Sequence, residues 1–355
     1  MDPRVEKLAE ILVDYSVGVR KGDVVGIGAD IGGAPLVEAV YRRVLQRGGF
    51  PRLKVYMPEI SRVFFEEASD EQISTLLPID LDEYKASQCL IRISAPANLA
   101  ETANVEPEKQ SARRRAMKPA SDWVMGGNVR WCGCNFPCHA LAQKAEMSLS
   151  EYEDFVYGAT NVDWAALSRE QEEIKRLFDG GREVRLIGEG TDLTFSIEGR
   201  PGVNCDGHYN MPDGEVFYSP VEDSAEGYVT FSYPAIYMDR EVEGVRLTFS
   251  RGKVVEARAA KNEEFLLKML DTDAGARRIG EFGIGTNHGI AKFTRDILFD
   301  EKIGGTIHLA LGQSYPEAKG ENDSAIHWDM IADLRRGGEI RVDGRTVQRD
   351  GEFLK

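Results

Sequence analysis

The C-terminal part of the chain carries two histidines and an aspartate in settings that could bind a metal ion. His308 lies in the apolar run 306–312, and His327 and Asp329 flank a tryptophan in the run 326–330. Both runs predict strands, and alternate side chains of a strand share a face, so His327 and Asp329 should project together. An imidazole beside a carboxylate suits a divalent cation. Taken alone, the pair is better explained as a histidine oriented by its neighbouring aspartate, so the rest of the chain must decide.

Two glutamates and a tyrosine extend this chemistry within the same half of the chain. Glu215 follows a Pro/Gly turn in the segment 210–217, and Glu281 enters the glycine-rich segment 280–285 at the end of a predicted helix. Tyr315 lies just past the strand that carries His308. Carboxylates with imidazoles suit Zn²⁺, Co²⁺ or Mn²⁺, and a bridging carboxylate would hold two ions about 3.5–4 Å apart. The spacing alone leaves a dinuclear site and separate surface glutamates as alternatives.

A series of short motifs follows in chain order: G-T-D-L at 190–193, N-M-P-D-G-E-V-F at 210–217, A-E-G at 225–227, G-E-F-G-I-G at 280–285, I-H-L-A-L-G-x-x-Y at 307–315 and I-H-W-D-M at 326–330. Together these motifs resemble the M29 family of metallo-aminopeptidases. The match is dense from residue 190 to the C-terminus and looser before it.

The resemblance implies a set of residues that bind two metal ions per chain. These ligands are Glu215, Glu281, His308, His327 and Asp329. It also implies that Glu281 bridges the ions or acts as the catalytic base, and that Tyr315 stabilises the tetrahedral intermediate. Glu301 resembles an acidic position close to the ions that does not bind them directly.

The implied function is a dinuclear aminopeptidase that hydrolyses the N-terminal peptide bond of short peptides with a metal-activated water. The resemblance also implies a homodimer. The segment 131–138, W-C-G-C-N-F-P-C, departs from the tyrosine- and proline-rich segment of the family, so a metal-dependent hydrolase of a non-peptide amide is an alternative. A second alternative is a non-catalytic nucleotide- or partner-binding protein centred on the glycines at 26–33. Their G-x-G-x-x-x-G spacing differs from the dinucleotide fingerprint and favours a structural turn.

Composition narrows the possible partners and the expected location of the protein. A net charge of -15 argues against nucleic acid or an anionic membrane as a partner. The N-terminal segment lacks an apolar signal region and no window approaches a membrane span, so we expect a cytoplasmic protein. Cys132, Cys134, Cys138 and His139 could bind zinc, but no second knuckle follows and small buried thiols are the preferred interpretation.

Periodicity and length predict two domains in the 355 residues. Residues 1–181 should form an α/β domain with a parallel, Rossmann-like sheet, closed by a helical stretch at 149–179. Residues 182–355 should form a mostly antiparallel α+β domain that carries the metal site. The main predicted elements are strands at 24–28, 52–57 and 89–94, a helix at 34–47, a hairpin at 183–197, helices at 262–270 and 274–281, and a hairpin at 338–349.

Overall fold

The computed structural model describes residues 2–238 and 240–354. Two compact units divide these residues. The first comprises the described residues up to Asn161 together with Gly207–Pro212, and the second comprises Val162–Asp206 and the described residues from Asp213 onward. The helix at 164–178 therefore belongs to the second unit. The division into domains at 1–181 and 182–355 stays a prediction.

Helices predominate in the first half of the chain and strands in the second. The α-helices are α1 (Pro3–Glu10), α2 (Ala34–Gln46), α3 (Pro58–Glu67), α4 (Asp70–Ile73), α5 (Pro78–Ala86), α6 (Pro107–Trp123), α7 (His139–Lys144), α8 (Leu149–Thr160), α9 (Trp164–Phe178), α10 (Glu263–Leu270) and α11 (Ile297–Asp300). The strands are β1 (Val24–Asp30), β2 (Phe50–Tyr56), β3 (Cys89–Ser94), β4 (Arg130–Asn135), β5 (Glu183–Gly188), β6 (Thr191–Ser196), β7 (Val203–Cys205), β8 (Asn210–Met211), β9 (Glu215–Tyr218), β10 (Glu226–Thr230), β11 (Ala235–Tyr237), β12 (Arg240–Val242), β13 (Arg246–Ser250), β14 (Lys253–Arg258), β15 (Ile279–Gly285), β16 (Thr306–Gly312), β17 (His327–Asp333), β18 (Glu339–Val342), β19 (Arg345–Arg349) and β20 (Glu352–Phe353).

The first unit contains a parallel sheet in the order β2-β1-β3-β4-β8. In β1 the alternate residues Val25, Ile27 and Ala29 are buried, as expected of a strand packed on one face. The predicted α/β domain with a parallel sheet is thus confirmed. The helical stretch at 149–179 is two helices, because α8 ends at Thr160 and Asp163 starts α9 by accepting a hydrogen bond from the Ala166 amide.

The second unit is built from antiparallel sheets, which confirms the predicted fold of the C-terminal half. A larger sheet has the order β14-β13-β10-β6-β5-β18-β19-β20, and a smaller one has the order β17-β16-β15-β9-β7. The core of this unit includes Phe282 of β15, whose ring lies 5.1 Å from that of Phe195 and 6.2 Å from that of Phe178 between ring centroids. Among the described residues, no helix has the length and apolar character needed to span a bilayer.

The predicted helix at 274–281 is wrong. Gly275 and Ala276 lie in a turn whose amides donate to Asp273 Oδ1, and the chain then enters β15. Gly283 and Gly285 follow closely, and glycine disfavours a helix by about 1 kcal/mol relative to alanine, so the segment has little helical preference. Glu281 consequently lies inside a strand.

We expect Phe282→Ala to lower the free energy of unfolding by about 3–5 kcal/mol, because it removes a fully buried ring from the core. Urea unfolding in the presence of a chelator measures this without a contribution from metal binding. The control is Val255→Ala on β14, where the side chain is 61% exposed and the change should stay within about 0.5 kcal/mol. Equal effects of the two substitutions would contradict the placement of Phe282 in the core.

Candidate metal centre

Four adjacent strands of the smaller sheet, β17-β16-β15-β9, bring the predicted ligands together. A glycine or alanine lies opposite each of these side chains, which leaves space on the sheet for bulky polar groups. The pairs are Glu215 with Gly285, His308 with Gly283, Glu281 with Ala310, Asp329 with Ala310, and His327 with Gly312.

The tightest of these pairs is that of His308 with Gly283. A Cβ atom built on Gly283 would lie 1.9 Å from Cε1 of His308, so only glycine leaves room for the imidazole. A bulge between Ile279 and Glu281 shifts the register of β15 against β16. The extra residue of this bulge is Gly280, which immediately precedes Glu281.

The carboxylate of Glu281 faces both histidines. Its Oε1 atom lies 3.2 Å from Nε2 of His308, and its Oε2 atom lies 3.5 Å from Nε2 of His327. Asp329 Oδ1 lies 3.4 Å from His327 Nε2 and 3.9 Å from His308 Nε2. Glu215 completes the group, with Oε2 at 3.4 Å from His308 Nε2. The arrangement therefore offers two overlapping sets of ligand atoms that share Glu281.

Backbone carbonyl groups orient both imidazoles. His308 Nδ1 lies 3.0 Å from the carbonyl oxygen of Glu301, and His327 Nδ1 lies 2.8 Å from that of Gln313. A carbonyl oxygen only accepts, so each Nδ1 donates a proton and Nε2 points into the centre. This is how proteins fix the ring and tautomer of metal-binding histidines.

The centre is buried, and its charges perturb one another. Burial opposes protonation of His308, but Glu281, Glu215 and Asp329 raise its pKa to about 10. Burial likewise opposes protonation of His327, whose pKa rises to about 10 chiefly because of Asp329. Burial favours the neutral carboxyl at Asp329, yet the two imidazoles lower its pKa to about 2. Without metal, the protonated histidines are thus cations that hold the carboxylates together.

A divalent ion would coordinate a buried carboxylate oxygen that accepts no hydrogen bond. Glu215 Oε2 is buried and accepts no hydrogen bond from the described residues, and burial raises the pKa of its carboxyl. Ligand atoms of Glu215, Glu281 and His308 lie within 4.8 Å of one another, as do those of Glu281, His327 and Asp329. The donors are oxygen and imidazole nitrogen, which suit Zn²⁺, Co²⁺ or Mn²⁺. The residues therefore fit a metal centre.

Glu301 and Lys302 lie beside this centre. A carboxylate oxygen of Glu301 lies within 4.8 Å of ligand atoms of His308 and Asp329. Lys302 is fully buried, binds the Glu301 carboxylate and lies 3.8 Å from Glu215 Oε1. The sequence reasoning missed Lys302, because a lysine next to a glutamate in a polar segment looks like a surface residue.

Tyr315 lies at the edge of the centre and remains 40% exposed. The centroid of its ring lies 5.0 Å from that of His327 and 5.6 Å from that of Phe217. Desolvation and the nearby Glu281 carboxylate raise the pKa of its phenol, so the hydroxyl keeps its proton at neutral pH. Tyr315 is therefore placed to donate a hydrogen bond next to the ligands.

The cysteines of the first unit lie apart from any metal-binding group in the described part of the chain. Cys132 and Cys134 are buried in β4, and burial raises the pKa of the Cys134 thiol to about 12. Small buried thiols, the preferred interpretation of this segment, agree with the structure. Of the two other histidines near the motifs, His208 stacks on Tyr15 in the first unit and His288 is exposed.

Carboxylates and imidazoles grouped in this way on a rigid sheet are typical of a divalent metal site in a metalloenzyme. The chain belongs to the family described as thermophilic metalloprotease (M29), whose model matches residues 1–353. The resemblance found in the motifs is thus confirmed, and the protein is a metal-dependent hydrolase of peptide bonds.

Individual relatives extend along the whole chain. Aminopeptidase T of Thermus thermophilus is 29% identical over 391 residues, which cover 96% of this chain and 94% of that protein. Aminopeptidase 2 of Geobacillus stearothermophilus is 26% identical over 407 residues, with 99% and 95% covered. The solved structure of wild-type AmpT from Thermus thermophilus matches with a TM-score of 0.87 and 26% identity over 99% of each chain.

A more distant solved structure shares only the fold with this chain. The structure of 2,5-dihydroxypyridine dioxygenase from Pseudomonas putida KT2440 has a TM-score of 0.62 and 13% identity, covering 99% of this chain and 96% of that one. The fold is thus compatible with more than one chemistry.

We expect Gly283→Ala to weaken metal binding on the order of 10–100-fold, because the added methyl group must displace the His308 imidazole. Calorimetric titration with Co²⁺ measures the change. The control is Gly133→Ala in β4, where a Cβ meets nothing within 4 Å, and its metal affinity should equal that of the wild type. Unchanged affinity in the Gly283 variant would contradict the placement of His308.

We expect metal binding to release protons. The pKa of each histidine is about 10 without metal, so at about pH 8 both carry a proton that an ion must displace from Nε2. Metal affinity should therefore rise with pH until the solution approaches the pKa of the histidines. Titrations in buffers of different ionisation enthalpy measure the release, expected at one proton per histidine. A binding heat that does not depend on the buffer would contradict the expectation.

Proposed function

We propose that the protein is an aminopeptidase that removes the N-terminal residue of short peptides at a centre of two divalent ions. The proposed ligands are Glu215, Glu281, His308, His327 and Asp329. The observation that supports this most directly is the placement of Glu281, which presents one carboxylate oxygen to each histidine. Such a carboxylate is suited to bridge two ions.

The bound ions would supply Lewis acidity, which polarises the scissile carbonyl and lowers the pKa of a water molecule from 15.7 towards about 7. Glu281, whose carboxylate lies at the middle of the ligand group, is proposed either to bridge the ions or to accept the proton of the attacking water. The Tyr315 hydroxyl is proposed to donate a hydrogen bond to the oxyanion of the tetrahedral intermediate. Glu301 is proposed to stay outside the direct ligands, held by Lys302.

Recognition of a free α-amine would make the enzyme an exopeptidase. The centre is rich in carboxylates, which attract an ammonium group, and the net charge of the chain is -15. The proposal includes Zn²⁺, Co²⁺ or Mn²⁺ as the ion, together with the homodimer and the cytoplasmic location expected from the sequence. The names of the relatives, aminopeptidase T and aminopeptidase 2, support the peptide substrate.

Metal content and substrate preference test this function together. The wild-type protein should retain two equivalents of transition metal by elemental analysis and should cleave a dipeptide with a free N-terminus. The same dipeptide with an acetylated N-terminus should resist hydrolysis, because it lacks the ammonium group. Cleavage of simple acyl-amides in preference to peptides would assign the centre to a different amide. Absence of transition metal after reconstitution would refute the metal centre.

A matched pair of histidine substitutions completes this test. His327→Ala should reduce the retained metal from two equivalents to one, because Nε2 of His327 faces Glu281 and Asp329. His288→Ala removes an exposed imidazole and should leave the metal content unchanged. Equal metal content in the two variants would contradict the proposed ligand set.

A further inference from the structure

Cys205 of β7, Glu215 of β9 and Asp213, which precedes β9, form a further group of ligand atoms at the edge of the smaller sheet. The Cys205 thiol and a carboxylate oxygen of each acid lie within 4.8 Å of one another. Cys205 of β7 pairs directly with Glu215 of β9, and the Gly214 amide donates to the Cys205 carbonyl oxygen at 3.0 Å, so the backbone holds the group together. One thiol and two carboxylates would be ligands for a soft divalent ion such as zinc.

Lys302 lies against the same group. Its side chain has no exposed surface, and its ammonium lies 3.8 Å from Glu215 Oε1 while it binds Glu301 on the other side. The ammonium also interacts electrostatically with Asp213 and with Cys205. The Lys302 backbone is fixed, because its amide donates to Phe299 and its carbonyl oxygen accepts from the Asn287 amide. The Lys302 amino group thus lies between two carboxylates, where a positive charge is favourable.

The charges of the candidate metal centre and of the adjacent Cys205 group, taken together, balance only when Lys302 is included. Five carboxylates lie in it: Asp213, Glu215, Glu281, Glu301 and Asp329. Two divalent ions would supply four positive charges, and the Lys302 ammonium would supply the fifth. A third divalent ion would leave the buried region with excess positive charge, which is costly in a low dielectric.

We propose that Lys302 is a positioning residue that occupies the place of a third cation beside Glu215 and thereby limits the centre to two metal ions. Its ammonium keeps Glu215 directed towards His308 and keeps the Cys205 thiol out of metal binding. This inference rests on the proposed function only in assuming a centre with two ions. It assigns to Lys302 a role in setting the number of metal ions and in keeping the Cys205 thiol from binding one.

Cobalt titration of the whole chain tests the role of Lys302. Wild-type protein should bind two Co²⁺ without the near-ultraviolet charge-transfer band of a thiolate–cobalt bond. Lys302→Met keeps the length of the side chain and removes its charge. This variant should bind a third Co²⁺ with such a band, as the Cys205 thiol loses its proton to the buffer and forms a Co–S bond. The double variant Lys302→Met/Cys205→Ser should lose both the band and the third ion.

Other outcomes overturn the proposal. A folded Lys302→Met variant that binds two Co²⁺ with the wild-type spectrum would show that Lys302 excludes no ion. A thiolate band in the wild type would show that Cys205 already binds metal. If Lys302→Met does not fold, Cys205→Ser in the wild-type background provides the test. This variant should keep two Co²⁺ and an unchanged spectrum, and a loss of metal overturns the proposal. A wild type that binds no Co²⁺ would instead refute the proposed metal centre.

Discussion

Mutual repulsion among buried carboxylates is the constraint on which this structure depends. Four carboxylates converge at the candidate metal centre: those of Glu215 and Glu281 are buried, and those of Glu301 and Asp329 are partly buried. Like charges at such distances are strongly unfavourable in a low dielectric unless cations lie between them. In the metal-free chain the protonated imidazoles and Lys302 fill that role, which explains why the pKa of His308 and that of His327 both rise. Divalent ions would replace the two protons and leave the lysine in place.

The smaller sheet meets this constraint by combining rigid strands with small residues. Gly283, Gly285, Ala310 and Gly312 lie opposite the candidate ligands, so the sheet surface itself forms the floor of the centre. Backbone hydrogen bonds between strands fix the spacing of side chains more closely than a loop would. The apolar face of the same strands, represented by Phe282, packs into the core of the second unit. Burial of one face therefore stabilises the position of the other.

The sequence predicts which candidate ligands share a face of each strand, because strand periodicity depends only on residues that are close together in the chain. The alternation around His308 and between His327 and Asp329 follows from two-residue spacing, and the structure places both sets on one face. The sequence predicts Glu281 at the end of a helix, whereas the structure places it within β15, next to a bulge that arises only from pairing with β16. Lys302 gave no signal, since lysine is almost never fully buried without a partner and its partners are set by tertiary contacts. The motif resemblance, rather than periodicity, connected the separate strands to one site.

The division between strand and loop residues also separates two kinds of chemical role. The candidate ligands lie on strands, whereas Tyr315 follows the end of β16 and Glu301 caps the end of α11. Groups that bind ions must keep fixed distances, which strands provide more reliably than loops. One fold can support different reactions when the residues of its site change. Changes in the loops and in the few buried charges would then alter the chemistry without disturbing the sheet. Lys302 connects strand and loop residues, because it contacts Glu215 on β9 and Glu301 at the end of α11.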